Sequence, residues 1–285
     1  MTAGRNPYLR LVKPGIVTGN LISTAGGFLL GARGMVDGRL LAAALIGVAL
    51  VVAGGCVFNN VIDRDIDALM SRTASRPMVT GEVGVATATA YGAALAAAGL
   101  LLLMLIAGRL PATVAAAGLF VYVGPYSLWF KRRSPVGVIV GSFAGATPPV
   151  IGYAAATGRL DGAAALLFLM FALWQIPHSD AIAIVRRDDY AAAGVPVHPV
   201  RHGVAATKLR IVLVIAAFGL ASVLLPLAGF AGGAYLGAAV LCGTGWLAVA
   251  LSGRTADDGR WARRIFLASL CCLLVLCLMM AVDYR

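Results

Sequence analysis

The chain has 285 residues, of which 60% are hydrophobic and only 12% are charged, and its mean hydropathy is +0.90. A soluble domain carries about 25% charged residues, so this composition excludes a soluble enzyme. The dominance of apolar residues also excludes a disordered chain. The five cysteines lie in apolar runs, which is typical of small buried side chains and not of a disulfide framework or a zinc site.

Long stretches without Asp, Glu, Lys or Arg indicate transmembrane helices, because about 20 apolar residues cross a bilayer. Eight such stretches occur in the chain: Pro14–Ala32, Leu40–Ile62, Val83–Gly108, Leu110–Phe130, Ser134–Gly158, Gly162–Ser179, Ile211–Gly253 and Ile265–Val282. The seventh is long enough for two helices, and Gly229, Gly232 and Gly233 interrupt it near its middle. We therefore predict an all-α integral membrane protein with nine transmembrane helices. A membrane barrel would instead show short alternating segments.

The basic residues test this count. If the N-terminus is cytoplasmic, the cytoplasmic segments carry 18 Lys and Arg residues and the opposite side carries five, including Arg285. This asymmetry follows the positive-inside rule and predicts a cytoplasmic N-terminus and an external C-terminus. The net charge of +11 is then mostly a topology signal, and no nucleic-acid partner is needed to explain it. Met1–Lys13 resembles neither a signal peptide nor a transit segment, which favours a bacterial cell (inner) membrane and a single domain over residues 1–285.

Two segments between helices, residues 63–82 and 180–210, contain seven of the 12 acidic residues. Both are cytoplasmic in the predicted topology. In the first, Asn59, Asp63 and Asp67 are spaced i, i+4, i+8, so at about 100° per residue they share one helix face, while Asp65 points away. Two carboxylates and an amide match the oxygen ligands of Mg²⁺, whose remaining positions water and substrate phosphates fill. The alternative is a solvated helix end with Asp–Arg pairs.

Further charged residues accompany both segments. Arg72 and Arg76 follow the first acidic motif and suit phosphate oxygens. In the second segment, His178 and Asp180 lie near the end of an uncharged span, where an ionisable group is a functional candidate, and we expect Pro177 to break the helix towards a cavity. His178 as a packing residue, and Asp188 and Asp189 as part of a solvated loop, remain alternatives. The run Lys131-Arg132-Arg133 is either a topology signal alone or a further anion contact.

The motifs resemble the UbiA superfamily of intramembrane prenyltransferases. The Asn59-x3-Asp63-x3-Asp67 pattern looks like the superfamily's Asn/Asp-rich motif, and the string Trp174-Gln175-x-Pro177-His178 points to its heme-farnesylating branch. Other matching strings are Lys13-Pro14-Gly15-Ile16 with Asn20, Met70-x-Arg72-Thr73-x-x-Arg76-Pro77, Tyr126-Ser127-x5-Arg132, Pro148-Pro149-Val-Ile-Gly152-Tyr153, Asp189-Tyr190 with Pro196-x-x-Pro199, and Asp257-Asp258-x-x-Trp261. The resemblance covers about the whole chain. Position 180 is Asp, where the resemblance leads us to expect an aromatic residue.

The resemblance implies a UbiA-like bundle around a central cavity and a transfer reaction. Farnesyl diphosphate would bind with Mg²⁺ at the acidic motifs, diphosphate would leave, and the 2-vinyl group of heme B would attack the allylic cation to give heme O. It implies catalytic roles for Asn59, Asp63, Asp67 and Asp189, and metal binding by Asp63, Asp67, Asp189 and Asp180. The implied substrate-binding residues are Lys13, Asn20, Arg72, Arg76, Arg132 and His178. Membrane lipid and a heme A synthase or terminal oxidase assembly are the expected partners.

Two other readings stay open on the sequence. A related enzyme that prenylates an aromatic quinone precursor would share the first acidic motif but lack the Trp174-Gln175-x-Pro177-His178 string. A membrane transporter usually places its ionisable groups near the bilayer midplane. Here those groups cluster at one membrane face, which favours an enzyme.

Overall fold

Nine long apolar helices dominate the computed structural model, which describes residues 6–254 and 257–284. Within these residues the prediction of nine helices able to span a membrane is confirmed. They are α1 (Pro14–Ala32), α2 (Gly38–Ile62), α3 (Val85–Ala107), α4 (Arg109–Arg133), α5 (Gly137–Thr157), α6 (Gly162–Val185), α7 (Gly203–Leu227), α8 (Gly233–Leu251) and α9 (Asp258–Val282). An isolated bridge between Ala231 and Tyr284 is the only strand-like pairing in the described ranges.

Aspartates and glycines set several of the helix boundaries. Asp37, Asp161 and Asp257 precede α2, α6 and α9, and each side chain accepts hydrogen bonds from the first free backbone N–H groups of its helix. Gly158 ends α5 and Gly229 follows α7, both with positive φ, a conformation that glycine adopts without strain. Gly229 lies within the glycine cluster that was predicted to divide the longest apolar stretch.

Three helices extend by more than one turn beyond the charge-free stretches from which they were predicted. α7 begins at Gly203 and α9 at Asp258, and α6 runs through Pro177 to Val185. The expected helix break at Pro177 is therefore wrong. A proline removes one backbone hydrogen bond, and membrane helices tolerate this where neighbouring helices pack around them. Some of the charged residues in these extensions form ion pairs, as Asp180 does with Arg210.

Glycines allow the helices of the first half to approach each other closely. A Cβ atom added at Gly27 of α1 would lie 2.0 Å from the carbonyl oxygen of Pro149 in α5, and one at Gly152 would lie 2.0 Å from the carbonyl oxygen of Thr24. Small residues at helix contacts are the usual means of close packing in lipid, where no hydrophobic driving force acts between helices. The second half packs differently, with large buried side chains such as Trp246 and Trp261 between α6, α7, α8 and α9.

Three helices are irregular, and short helices lie in the connecting segments. α4 changes from α-helix to π-helix over Tyr122–Phe130 and ends with Lys131–Arg133, and α3 ends in a π-helix over Leu103–Ala107. α5 consists of Gly137–Gly145 and Thr147–Thr157, separated at Ala146. The short helices are Pro7–Leu11, Arg64–Ala68, Pro77–Thr80, Arg187–Ala192 and His198–Arg201, and a 3₁₀ turn covers Ser252–Arg254.

Segments that were predicted to share one membrane side contact each other. Arg10 pairs with Glu82 at 3.2 Å, and Lys208 pairs with Asp258 at 2.6 Å. Ser71 of the first acidic segment donates a hydrogen bond to Asp189 of the second. The alternation of helix directions therefore agrees with the predicted one. The side that faces the cytoplasm stays a prediction, and Arg285 lies outside the described residues.

Candidate active site

The acidic motif of the first segment lies where α2 ends. α2 stops at Ile62, Asp63 forms the turn, and the short helix Arg64–Ala68 carries Asp67. Asp63 and Asp67 are 0% and 2% exposed, whereas the side chain of Asp65 is 63% exposed. The prediction that Asn59, Asp63 and Asp67 share one face and that Asp65 points away is confirmed by this burial.

Protein cations neutralise both buried carboxylates. Lys131 of α4 donates to Asp63 Oδ2, which also accepts from Asn59 Nδ2 at 2.8 Å. Arg76 donates to Asp67 Oδ2 at 2.5 Å. The other oxygen of Asp63, Oδ1, is buried without a hydrogen-bond donor among the described residues. A buried carboxylate oxygen without a donor is costly. The nitrogen Nη2 of Arg132 lies 3.8 Å from this oxygen, an ion pair beyond hydrogen-bond distance, so a cation closer than Arg132 would be stabilised there.

Lys13 approaches the same motif from the N-terminal side. It has φ of +51°, a left-handed conformation that is strained for a residue with a side chain, and Pro14 begins α1 directly after it. Its Nζ donates to Asn59 Oδ1 at 2.7 Å. Burial, with the neighbouring charge of Arg76 adding to it, lowers the pKa of Lys13 to about 8. Strain of this kind is typical of functional sites.

The structure corrects the role expected for Arg132. Its guanidinium forms a two-bond pair with the exposed carboxylate of Asp65, at 2.8 and 2.6 Å, and donates to the carbonyl oxygen of Ile62 at 2.6 Å. Arg132 lines neither cavity of the bundle, although its Nη2 also lies 3.8 Å from Oδ1 of Asp63. It fixes the end of α2, and its neighbour Lys131, which was read mainly as a topology signal, points into the site instead.

Asp180 is also placed differently from the expectation. It is fully buried, and its two carboxylate oxygens accept from Nε and Nη2 of Arg210 in α7, the first at 2.7 Å. It lines neither cavity. The expected metal-binding role of Asp180 is therefore not supported, because Arg210 already satisfies the carboxylate and α6 turns it away from the cavity.

The second acidic segment reaches the first through Asp189. Asp189 lies in the short helix Arg187–Ala192 on the surface, and its Oδ1 accepts from the backbone N–H and the hydroxyl of Ser71, at 3.1 and 2.8 Å. The following residue, Tyr190, lines the cavity. The two segments thus meet, as their shared side predicted, although Asp189 itself contacts Ser71 and not the buried carboxylates.

Two adjacent compartments lie in the centre of the bundle and share lining residues, among them Lys13, Arg72 and Arg76. The polar compartment is about 300 Å³ and borders Asp67, and the deeper one is about 820 Å³. Four cations line the polar compartment against one carboxylate: Lys13, Arg72, Arg76 and Lys131. The deeper compartment is mainly apolar and includes Val48, Val51, Leu119, Ile151, Phe171, Phe266 and Leu273. Asn20 and His178 also line it, as expected of substrate-binding residues.

Several lining residues were not singled out as site residues. Tyr122 and Tyr126 stack on each other with ring centroids 5.7 Å apart and border both compartments. Gln175 and Ser179 of α6 also border both. Tyr122 and Tyr126 belong to the π-helix of α4, and π-helical turns are frequent at functional sites. In the sequence, the four-residue spacing of the two tyrosines was the signal that could have identified them as neighbours on one helix face.

Comparison with known proteins agrees with this geometry. The profile of the UbiA prenyltransferase family matches residues 20–270. The chain belongs to the UbiA prenyltransferase family. It is 53% identical over 279 residues to the protein named Protoheme IX farnesyltransferase 2 of Pseudomonas paraeruginosa, covering 98% of this chain and 94% of that protein.

Solved UbiA structures share the fold. A digeranylgeranylglyceryl phosphate synthase aligns with a TM-score of 0.79 at 19% identity, covering 97% of this chain and 96% of that one. A UbiA homolog from Archaeoglobus fulgidus, solved with GPP and Mg²⁺, aligns with a TM-score of 0.63 at 19% identity, covering 97% and 100%. The protein is thus a multi-pass membrane member of a family in which a divalent metal and a prenyl diphosphate have been found together.

The site of this UbiA protein fits Mg²⁺ and not a metal held by many protein ligands. In residues 6–254 and 257–284, no group of three or more His, Cys, Asp or Glu side chains converges as a metal cluster. Mg²⁺ usually binds through one or two carboxylates, with water and substrate phosphates completing its shell. Asp67, which borders the polar compartment, supplies one such carboxylate. Asp63 supplies a second with an Oδ1 that accepts no hydrogen bond, although it lines neither compartment and is paired with Lys131.

Proposed function

We propose that this protein transfers the farnesyl group of farnesyl diphosphate to the 2-vinyl group of heme B, giving heme O and diphosphate. The observation that carries the proposal is the 53% identity, over 98% of the chain, to a protein named protoheme IX farnesyltransferase. The cavities support it, because a cationic compartment adjoins a larger, mainly apolar one. A prenyl diphosphate has the same division into a charged head and an apolar chain.

The polar compartment would bind the diphosphate. Lys13, Arg72, Arg76 and Lys131 supply an excess of positive charge for an anion. Asp63 and Asp67 would hold Mg²⁺, and Asn59 would orient Asp63. Asp189 would approach the diphosphate from the second acidic segment. When bound, Mg²⁺ neutralises charge that develops on the departing diphosphate. Arg76 and Lys131, which pair with the two carboxylates, are then close enough to turn towards phosphate oxygens.

The deeper compartment would hold the farnesyl chain and the porphyrin. Its apolar walls keep water away from an allylic cation until the vinyl group is in place. The stacked rings of Tyr122 and Tyr126 lie at the junction of the compartments, where the reacting carbon would sit. Aromatic faces attract cations, so these rings would stabilise the positive charge. The vinyl group attacks, and water adds to the resulting cation and loses a proton to give the hydroxyethylfarnesyl side chain.

The cellular setting extends the same proposal. The distribution of 18 basic residues against five supports a bacterial inner membrane protein whose active site faces the cytoplasm. The whole chain, residues 1–285, acts as one membrane domain. Its product is a heme that a heme A synthase or a terminal oxidase assembly would receive.

A product assay with the full chain tests the reaction. Purified protein in lipid, given heme B, farnesyl diphosphate and Mg²⁺, should form a heme whose mass has risen by one farnesyl group and one hydroxyl group. Chelation should stop the reaction, and added Mg²⁺ should restore it. The leaving diphosphate and the carboxylates are both negative, so a cation is needed between them. A prenylated hydroxybenzoate without any heme product would overturn the substrate assignment, and ion flux without any prenyl product would overturn the enzyme class.

A further inference from the structure

His178 of α6 is held rigidly in the wall of the deeper compartment. Its ring stacks on Trp174, with centroids 4.7 Å apart, and lies tilted against Phe266 of α9 at 4.8 Å. Nδ1 lies 2.8 Å from the hydroxyl oxygen of Ser269. Trp174 is fixed in turn, because its Nε1 donates to the carbonyl oxygen of Ser269 at 2.8 Å.

The hydrogen bonds of Ser269 determine which ring nitrogen carries the proton. The Ser269 hydroxyl donates its single hydrogen to the carbonyl oxygen of Phe266 at 2.5 Å. It must therefore accept from His178, so the proton of the neutral ring is on Nδ1 and Nε2 carries a lone pair. Nε2 forms no hydrogen bond with the described residues. It is also not one of the fully buried side-chain atoms that lack a hydrogen-bond partner, so it is accessible. Because the ring lines the deeper compartment, we infer that Nε2 faces that compartment.

The Nε2 lone pair of His178 faces an apolar cavity, where a hydrogen-bond donor or a metal ion from a substrate would stabilise it. Neutral imidazole is a good ligand for iron, and a histidine that binds a metal almost always donates its other N–H to a hydrogen-bond acceptor, as His178 does. Cys56 also lines the compartment, but a thiol binds iron only after it loses its proton. We propose that Nε2 of His178 is the axial ligand of the iron in the porphyrin substrate and that it holds the ring plane in register with the prenyl chain.

This proposal rests on the proposed function for its substrate class, and heme binding without farnesyl diphosphate tests it separately from turnover. Ferric heme and metal-free protoporphyrin IX are titrated into the full chain in lipid nanodiscs, followed by absorption and electron paramagnetic resonance spectra. His178→Ala should change the heme spectrum, raise the Kd for heme by about 10-fold or more, and leave the Kd for protoporphyrin IX unchanged. Added imidazole should restore the wild-type spectrum.

His198 provides a matched control. Its Nδ1 lies 2.8 Å from the hydroxyl oxygen of Thr207, which donates to the carbonyl oxygen of Gly203, so its tautomer is fixed in the same way. It lines neither compartment, and His198→Ala should leave both Kd values and the heme spectrum unchanged. Ser269→Ala should weaken heme binding without removing the ligand.

The outcomes separate the ligand from the reaction. If His178→Ala weakens heme and protoporphyrin IX equally, or leaves the heme spectrum unchanged while the wild type makes farnesylated heme, the ligand assignment is overturned and the proposed function stands. If the wild type neither binds heme saturably nor makes a heme product, both are overturned. Should His178→Ala fail to insert, His178→Gln keeps a similar side-chain volume without the imidazole and should give the same spectral change.

Discussion

Asp63 and Asp65 are two residues apart, yet their environments are opposite. Asp63 is fully buried, accepts from Asn59 and Lys131, and has one oxygen without a donor. Asp65 is largely exposed, and its bonds to Arg132 hold its pKa at about 2. An exposed ion pair contributes at most about 1 kcal/mol to stability. No other group can take over the proposed metal-binding role of the buried Asp63 carboxylate. The two residues should therefore differ sharply in function.

Substitution of the three aspartates by asparagine tests this difference. Asp63→Asn and Asp67→Asn should lower kcat by about 100-fold or more, because each removes a charge that stabilises the leaving diphosphate through Mg²⁺. Asp65→Asn should stay within about 5-fold, the equivalent of one exposed pair. The measurement is single-turnover product formation with matched amounts of inserted protein. Equal losses at all three positions would refute the assignment of the site to one helix face.

The spacing of these aspartates was readable from the sequence, but the choice between Lys131 and Arg132 was not. The i, i+4, i+8 pattern fixes a shared face in any α-helix. Lys131 and Arg132 follow a nine-residue π-helix with Pro125 inside it, and i→i+5 hydrogen bonds shift the facing of every later residue relative to an α-helix. Which of the two cations reaches the cavity depends on that change of winding, which single-residue preferences do not specify.

At the scale of helices, Asp180 and Arg210 connect α6 to α7. The sequence showed an acid at the end of an apolar span, where a functional role is the usual reading. Its partner lies 30 residues away on another helix, so the pair becomes visible only in the folded bundle. A buried carboxylate with both oxygens satisfied by one guanidinium holds two helices together and has little capacity left for a metal.

Asp180→Asn should therefore weaken the bundle without changing the need for metal. Removal of one partner of a buried ion pair costs about 3 kcal/mol or more, because the charge of Arg210 is left uncompensated. We expect a lower midpoint of thermal unfolding in detergent, together with an unchanged Mg²⁺ concentration for half-maximal rate. A rise in that Mg²⁺ concentration at unchanged stability would instead place Asp180 at a metal site.

A second ion pair of α7, between Lys208 and Asp258, provides the control for this variant. Lys208 pairs with Asp258 of α9 at 2.6 Å, and the side chain of Asp258 is 50% exposed. Because solvent screens this pair, Asp258→Asn should lower stability by less than about 1 kcal/mol. The contrast between the two variants separates burial from the mere presence of an ion pair.

At the scale of the whole molecule, composition and charge were sufficient for the number of helices but not for the shape of the cavity. Each helix was visible as an apolar stretch, and the basic residues gave the alternation of directions. The two compartments depend on how closely helices approach, as at Gly27 and Gly152. Such contacts join residues far apart in sequence, so the division between a cationic and an apolar compartment appears only after packing.

The remaining whole-molecule prediction is the orientation in the membrane. The cationic compartment is lined by residues of the acidic segments, so the diphosphate should bind at that end of the bundle. Single cysteines at Ala74 and Met35, both exposed and on opposite ends in the predicted topology, are introduced into a variant without the five native cysteines. A membrane-impermeant maleimide added to cells should label Met35→Cys, while Ala74→Cys should react only after the membrane is opened. The positive-inside rule is the reason, since basic residues near span ends stay on the cytoplasmic side. Labelling of Ala74→Cys from outside, with Met35→Cys protected, would reverse the orientation and place the active site outside the cytoplasm.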